Sequence, residues 1–372
     1  MRLGLDVRLT SYTRGGIAVY VRRLAARLPA LGREDEHFHL YRRGHAETFS
    51  PQARRVNCWT PAHHRWERFA LAVETAPLRL DLLHSPDFIP PLFGHRRSVI
   101  TVHDLAFLRY PDFLTEASRR YYNGQINFAV RHAHLIIAVS NATKADLVNL
   151  LGAPEEKIVV IHHGLDPDFR PLPVEAVQTA LAQWRLAPGY LLFVSTLEPR
   201  KNVVGLLRAC ARLRSALPDA PPLVLAGNTG WLFDETRELV HELNLEAGVR
   251  FLENVPHADL PALYNGASVF VLPSHYEGFG MPVLEAMGCG TPAIIANRAS
   301  LPEVADDAAL LIDPDDPEAL ADALHRALTD SALRAELQRK GFERARRFTW
   351  DQAAQAHLAA YRQALQLPTS DF

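Results

Sequence analysis

At 372 residues, with 48% hydrophobic and 22% charged residues, the chain is too long for one ordinary core and too apolar to be disordered, so two domains are expected. The net charge of −2 is spread unevenly, roughly +5 over residues 1–175 and roughly −7 over the rest. No dense basic stripe carries interleaved aromatics, which disfavours nucleic acid.

The mildly basic first half suits an anionic partner such as a membrane surface or lipid phosphate, and arginines scattered over a solvated face account for it equally well. Met1–Val7 reads as a first strand rather than a signal peptide. No apolar run approaches the ~18 residues that span a bilayer, so the protein is expected to be cytoplasmic, at most peripheral at the inner face of the membrane. Cys58, Cys210 and Cys289 are odd in number and widely spaced, which gives neither a disulfide framework nor a zinc spacing and fits a reducing compartment.

Along the chain, strands are expected at Leu3–Val7, His37–Leu40, Leu82–His84, Val99–Val102, Leu135–Val139 and Ile158–Ile161. Helical patterns at Ile17–Leu31, Glu116–Ala133 and Ala142–Leu150 lie between them. The rhythm restarts with strands at Tyr190–Val194, Leu223–Ala226, Val249–Phe251 and Val269–Leu272, and helical stretches such as Asn202–Ser215 and Trp231–Leu243. Continuous apolar strands alternating with helices predict parallel sheets covered on both faces, hence two doubly wound α/β domains. The first domain is expected at residues 1–170, a proline-rich linker region at 171–188, the second domain at 189–350, and a last helix, 351–372, crossing back to the first domain. Ligands of such sheets sit beyond the carboxyl ends of the strands, which directs attention to the loops that follow them.

The most informative loop follows the strand Val269–Leu272: Glu277-Gly278-Phe279-Gly280-Met281-Pro282-Val283-Leu284-Glu285. Glycines allow close backbone approach, Pro282 suits a first helical turn, and the amides at that helix start suit a diphosphate. A Gly-rich turn of this kind is often purely structural; Glu277 and Glu285 on either side, each able to accept hydroxyl hydrogen bonds, point instead to a sugar and a ribose. A second loop, Ser195-Thr196-Leu197-Glu198-Pro199-Arg200-Lys201-Asn202, places adjacent cations at a strand end, where they either form a solvated pair or neutralise a diphosphate leaving group. Lysine occurs only at 144, 157, 201 and 340, so its retention at 201 singles that position out. In the first half, Arg14-Gly15-Gly16-Ile17 opens the first helix without the dinucleotide fingerprint, and His103-Asp104 ends a strand.

With Gly290-Thr291-Pro292 and Leu301-Pro302-Glu303, the 277–285 stretch closely resembles the signature of glycosyltransferase family 4, the retaining GT-B transferases, and the resemblance runs over nearly the whole chain. It implies a GT-B fold: two Rossmann-like domains facing a cleft, the second holding a nucleotide sugar. It further implies that Glu277 contacts the transferred sugar and Glu285 the ribose, while Phe279, Gly280 and Met281 hold the diphosphate or sugar through their amides. Lys201 matches the family's diphosphate-binding lysine; an arginine often found earlier in that loop is replaced by Thr196, and Arg200 is the candidate to compensate. Gly15 and Gly16 resemble the glycine loop that approaches the donor, and His103 the histidine that touches donor sugar or phosphate, with Asp104 orienting it or capping a turn.

Other patterns carry less. Asp166-Pro167-Asp168 and Asp313-Pro314-Asp315 match a metal-holding D-x-D but fall in turns, and His63-His64 and His162-His163 lack further ligands. The expected activity is retaining, metal-independent transfer of a hexose to a hydroxyl of a glycan or lipid-linked acceptor in envelope polysaccharide synthesis, without a cofactor. GDP-mannose is the first donor suggested; UDP-glucose stays open, as does a non-catalytic sugar-nucleotide or glycan binding protein on the same fold. A phosphorylase would normally be much longer and carry a pyridoxal phosphate lysine, and an oxidoreductase lacks its glycine fingerprint.

Overall fold

The computed structural model describes residues 1–12, 15–64, 66–111, 116–228 and 233–367; Arg14 and the helix start expected at Trp231 lie outside them. Contacts divide the chain into two units, Met1–Gly164 with Thr349–Phe372, and Leu165–Phe348.

The first unit carries a seven-stranded parallel sheet among the described residues. Its strands are β1 (Arg2–Asp6), β2 (Glu36–Arg42), β3 (Arg54–Cys58), β4 (Leu80–Ser85), β5 (His95–Val102), β6 (Leu135–Ala138) and β7 (Ile158–Val160), in the order β3-β2-β1-β4-β5-β6-β7. Its helices are α1 (Gly16–Leu31), α2 (Glu67–Thr75), α3 (Ala106–Arg109), α4 (Glu116–His132) and α5 (Asn141–Leu151). Strands such as Leu135–Ala138 are buried at every position, as a sheet covered on both faces requires. Local chemistry sets the helix ends: Ser140 accepts from the Thr143 N–H to start α5, and Gly152 ends it in the left-handed region.

The second unit has six parallel strands: β8 (Tyr190–Val194), β9 (Leu223–Ala226), β10 (Val249–Leu252), β11 (Ala267–Leu272), β12 (Ala293–Ala296) and β13 (Ala309–Ile312), in the order β10-β9-β8-β11-β12-β13. Helices α6 (Val174–Ala182), α7 (Val203–Ala216), α8 (Phe233–Glu242), α9 (Leu260–Gly266), α10 (Met281–Cys289), α11 (Leu301–Ala305), α12 (Pro317–Thr329) and α13 (Ser331–Ala345) belong to it. The division falls at Gly164/Leu165, and α6, within the stretch read from sequence as a linker, packs on α9.

The last helix, α14 (Trp350–Gln366), returns to the first unit, packing on α1, β4 and β5. Its entry is tight: a Cβ on Gly164 would lie 2.2 Å from the Trp350 amide nitrogen. Its buried side chains join a polar network in which His357 Nε2 pairs with the Tyr20 hydroxyl at 2.8 Å and Tyr361 OH with His84 Nδ1 at 2.7 Å.

In each sheet the strand order reverses beside one strand, β1 in the first and β8 in the second. The connections on either side of that strand run in opposite directions, so a crevice opens beyond the carboxyl ends of the two strands at the reversal.

Candidate active site

In the second unit the reversal lies between β8 and β11, and the two loops singled out from the sequence follow those two strands. After β8 the chain makes a tight turn over Pro199–Lys201 and passes through Asn202 at φ +57°. Asn202 holds this turn in place: its Oδ1 accepts from the Gly205 N–H to cap α7, and its Nδ2 donates to the Pro314 carbonyl. Lys201 is thereby turned inward, only 5% exposed.

Its ammonium donates to both oxygens of Glu277, at 2.7 and 2.8 Å. Ser274 Oγ donates to Glu277 Oε1 at 2.9 Å, and Arg200 Nη1 lies 3.6 Å from Oε2. Arg200 is itself braced, its Nε 2.6 Å from Glu198 Oε1 and its Nη1 donating to the Tyr276 carbonyl. A surface pair at a helix start is therefore not what the Arg200-Lys201 step forms: the lysine is buried against a carboxylate 76 residues away.

Burial alone would push the Glu277 carboxyl up; the Lys201 and Arg200 charges, with the hydrogen bonds from Lys201 and Ser274, outweigh it and hold the group below its ordinary range. Burial pushes the Lys201 ammonium down, with Glu277 opposing and Arg200 adding to the fall. The pair is ionised on its carboxylate side and carries a cation that is costly to keep dry, which an arriving anion would stabilise.

Gly280 caps α10 at φ +98°, a left-handed conformation, and a Cβ there would meet Leu301 Cδ2 at 2.6 Å. Ser300 Oγ sits 2.8 and 2.9 Å from the carbonyls of Glu277 and Phe279 and fixes the loop that leads into the helix. With Met281 and Pro282 in its first turn, α10 presents a helix N-terminus, whose amides lack intrahelical acceptors and favour an anion. Glu285, one turn on, is buried and accepts from the Tyr264 hydroxyl at 2.8 Å. Burial raises its carboxyl to about 7, with Asp166 adding and Tyr264 and His257 opposing. Ser274, Ser300 and Tyr264 were not assigned from the sequence; all three contact the two glutamates or their loop through residues distant in the chain or by a side chain of ordinary appearance.

In the first unit Gly15 precedes α1 as its N-cap and is exposed, with its carbonyl accepting from the Ala18 and Val19 amides. Gly16 opens the helix. His103 follows β5; its Nε2 lies 2.9 Å from the Pro86 carbonyl, and its ring stacks on His163 at 5.6 Å and meets Tyr20 edge-on at 4.9 Å. Burial lowers its pKa, so the ring is neutral, and with Nε2–H donated to Pro86 its Nδ1 is an acceptor. Asp104 caps a turn, its Oδ1 accepting from the Ala106 N–H. The Asp313-Pro314-Asp315 turn is closed by Asp313 accepting from the Asp315 amide. His63 pairs with Asp87 rather than with its neighbour, and among the described residues no group of three metal-ligating side chains forms. Cys289 is buried, and burial raises its thiol.

Residues 182–344 match the family model for glycosyl transferases group 1, and residues 14–169 that for glycosyltransferase family 4. The O-antigen chain mannosyltransferase B of Escherichia coli is 36% identical over 284 residues, 76% of this chain and 74% of that protein. Among solved structures, sucrose-phosphate synthase from Thermosynechococcus elongatus covers 98% of both chains at a TM-score of 0.79 and 24% identity. Anabaena HepE, solved in complex with UDP and glucose, covers 97% of this chain and 99% of its own at 0.74 and 20%.

Proposed function

The chain belongs to glycosyltransferase family 4, with its fold of two parallel-sheet α/β domains, and on that footing we propose that it moves a hexose from a nucleoside diphosphate sugar to a hydroxyl of a glycan or lipid-linked acceptor, with GDP-mannose as donor. The observation that carries this reading is the buried Lys201–Glu277 pair at the reversal of the second sheet, beside the N-terminus of α10. A diphosphate set between that helix end and Lys201 has dipole and charge on one side, while Glu277 faces sugar hydroxyls. Glu285 takes the ribose. Mannose is supported by the O-antigen mannosyltransferase relative, and envelope polysaccharide synthesis by the same name.

In this mechanism the bond from the anomeric carbon to the diphosphate oxygen breaks as the acceptor oxygen bonds to the same face, with retention. The acceptor proton passes to the departing phosphate oxygen. Lys201, Arg200 and the amides at Phe279, Gly280 and Met281 stabilise the anion, a contribution worth about 3 kcal/mol for one well-placed donor. That positive charge takes the part a metal plays elsewhere. In the first unit, neutral His103 has Nδ1 as an acceptor suited to a sugar hydroxyl, and Gly15 and Gly16 open α1.

Peripheral contact with an anionic membrane belongs to the same reading. No helix among the described residues is long and apolar enough to cross a membrane. Trp66, Phe69 and Val73, at helical spacing along α2, are 59%, 56% and 52% exposed in the half of the chain with excess positive charge. Titration with GDP and UDP by calorimetry, followed by a donor panel with product detection by mass spectrometry, tests the whole proposal. Binding of neither nucleotide, or turnover with no donor, would overturn it.

A further inference from the structure

The segment that opens the second unit, residues 165–169, lies against the helix that carries Glu285. A Cβ on Gly288, three residues after Glu285 and on the same face of α10, would lie 2.6 Å from Leu165 Cδ2 and 2.7 Å from the Phe169 carbonyl. Asn265 of α9 staples the segment down: its Oδ1 accepts from the Leu172 N–H and its Nδ2 donates to the Arg170 carbonyl, each at 2.9 Å. The Phe169 N–H donates to the Asp166 carbonyl at 3.0 Å and closes the turn. Turn chemistry accounts for the Asp-Pro-Asp pattern but asks for a solvated side chain. Asp166 is instead 1% exposed, a buried acid that no step of the proposed transfer uses.

Its neighbour is His257, in the turn between β10 and α9, whose Nε2 lies 3.8 Å from Asp166 Oδ2. The Phe169 ring stands edge-on to His257 at 5.3 Å and to Tyr264 at 5.8 Å, and Tyr264 donates to Glu285 at 2.8 Å. Three separate places in the chain thus bring Asp166, His257 and Tyr264 around one buried carboxyl. Leu301 of α11 and Gln338, Gly341 and Phe342 of α13, which meet α10 at Gly280, Met287 and Gly290, carry no charge. Cys289, on α10 itself, keeps its proton, since burial raises the thiol. Burial raises the Glu285 carboxyl to about 7; Tyr264 and His257 pull it back, and Asp166 pushes it further up.

Near neutral pH Glu285 is therefore balanced between its two forms, with neighbours of opposite sign beside it. We propose that Asp166 and His257 are positioning residues for the nucleoside end of the donor, acting through Glu285: a protonated His257 draws the Asp166 charge to itself and leaves Glu285 ionised to accept ribose hydroxyls, and a neutral His257 releases that charge onto Glu285. Imidazole changes charge in the range where Glu285 does. As pH rises, Glu285 gains its charge while the cation that favours it is lost, so the two titrations are coupled and nucleotide affinity rises over a wider span than one carboxyl alone would give. The ribose role rests on the transferase reading above; the coupling among the three side chains does not.

The test uses the full chain labelled with 13C at the glutamate δ-carboxyl, the Glu285 signal being identified by its loss in Glu285→Gln. Its titration midpoint is followed without ligand from about pH 5 to about pH 9, and GDP and UDP affinities are measured by calorimetry over the same range. His257→Gln should raise the carboxyl midpoint and that of the nucleotide profile by about half a pH unit or more, the scale of one nearby charge in a partly solvated site. His257→Lys, which keeps a cation throughout the scan, should lower both below the parent's. Asp166→Asn added to His257→Gln, where no imidazole answers the change, should bring both back down. His257 is an exposed position, so its two variants carry the test if the Asp166 variant does not fold. A carboxyl midpoint unmoved by His257→Gln, or moved the same way by Gln and Lys at 257, would overturn the proposal and leave the donor assignment of Glu285 standing. A nucleotide profile that ignores a shifted carboxyl would overturn the positioning role. Opposite shifts of the carboxyl while neither nucleotide binds at any pH would support the coupling and remove the donor reading of the second unit.

Discussion

Replacing Lys201 with alanine removes both hydrogen bonds that Glu277 receives from the ammonium and strands a carboxylate whose residue is 9% exposed. Breaking a buried ion pair by deleting one partner costs about 3–5 kcal/mol. Ser274 at 2.9 Å and Arg200 at 3.6 Å remain, which places this case at the lower end, about 3 kcal/mol. For a unit of this size that is roughly 6–12 °C in melting temperature. Glu277→Ala costs less, about 2 kcal/mol, since the stranded lysine can shed its proton, a direction burial already favours. The double variant strands nothing, so it should recover at least about 1.5 kcal/mol of the summed loss. Turnover should behave oppositely. If Lys201 stabilises the leaving diphosphate, its loss costs about 100- to 1,000-fold in kcat, and removing Glu277 as well restores none of it. Urea midpoints of the unliganded protein, read beside turnover with the preferred nucleotide sugar, separate the two effects. Additive stability losses would refute the ion-pair energetics, and a double variant with recovered turnover would refute the assignment of Lys201 to the leaving group.

Three further outcomes are expected. Glu285 has a folded-state pKa of about 7, above its ordinary 4.5, so the neutral form stabilises the fold below about 4.5 and that contribution is lost as pH rises through 7. Glu285→Gln should accordingly melt higher than the parent at pH 8 and alike at pH 4; if Glu285 binds the ribose as a carboxylate, GDP affinity should rise from pH 6 to pH 8 in the parent with a slope that the Gln variant loses, and a retained slope would refute the ribose role. Tyr264→Phe removes a hydrogen bond that holds this carboxyl down, which should move the same affinity profile to higher pH, as calorimetry at several pH values can show. In the first unit, burial lowers His357 to about 4 and holds His84 and His163 well below 6.5. Histidines depressed in the folded state stabilise it above 6.5, and that stability is lost as pH falls from 6.5 towards 4. Hydrogen exchange of α14 should therefore quicken from pH 7 to pH 5 after correction for intrinsic rates, and equal protection at both would contradict the neutral-network reading.

The sequence was most legible where burial is complete. Tyr190–Val194 and Leu223–Ala226 are continuous apolar runs because a parallel strand has a core on both faces, and the structure places them as read. β3, Arg-Arg-Val-Asn-Cys, escapes such reading since it is an edge strand with only Cys58 buried, and α2 escapes it because Trp66, Phe69 and Val73 face outward. β12 and β13 went unread although they are as long as β9, and β13 keeps only its first and last residues buried. At the site, the loops at Glu277 and Lys201 were visible as loops, each following a strand. The resemblance assigned both to one nucleotide sugar, but their direct ion pair was not visible: it depends on β8 and β11 being neighbours across the sheet reversal, a matter of strand order rather than of local pattern. Tyr264 could not be assigned either, since it reaches Glu285 from a different helix.

The two reversals hold similar ingredients and differ in how firmly the cation is committed. In the first unit an arginine, which keeps its charge under any burial, is fixed by two carboxylates and a carbonyl, and nothing of it is left for a ligand. In the second a lysine, a point charge whose proton burial loosens, is held by a single carboxylate. An anion entering beside Lys201 compensates a charge that is only just compensated, and frees Glu277 to turn part of its hydrogen-bonding capacity to a sugar hydroxyl. An anion entering beside Arg8 would meet the carboxylates of Asp6 and Glu67 and gain no donor. The same architecture thereby suits an anion at the second reversal better than at the first. Arg8→Lys is the substitution that tests this contrast: three donors on one nitrogen replace four bonds made from three separate nitrogens, so at least one bond is lost and the variant should lose stability. Its melting temperature should fall while the affinity for GDP stays the same. An unchanged melting temperature would show that the locked arginine is dispensable, and the argument from a committed cation would go with it.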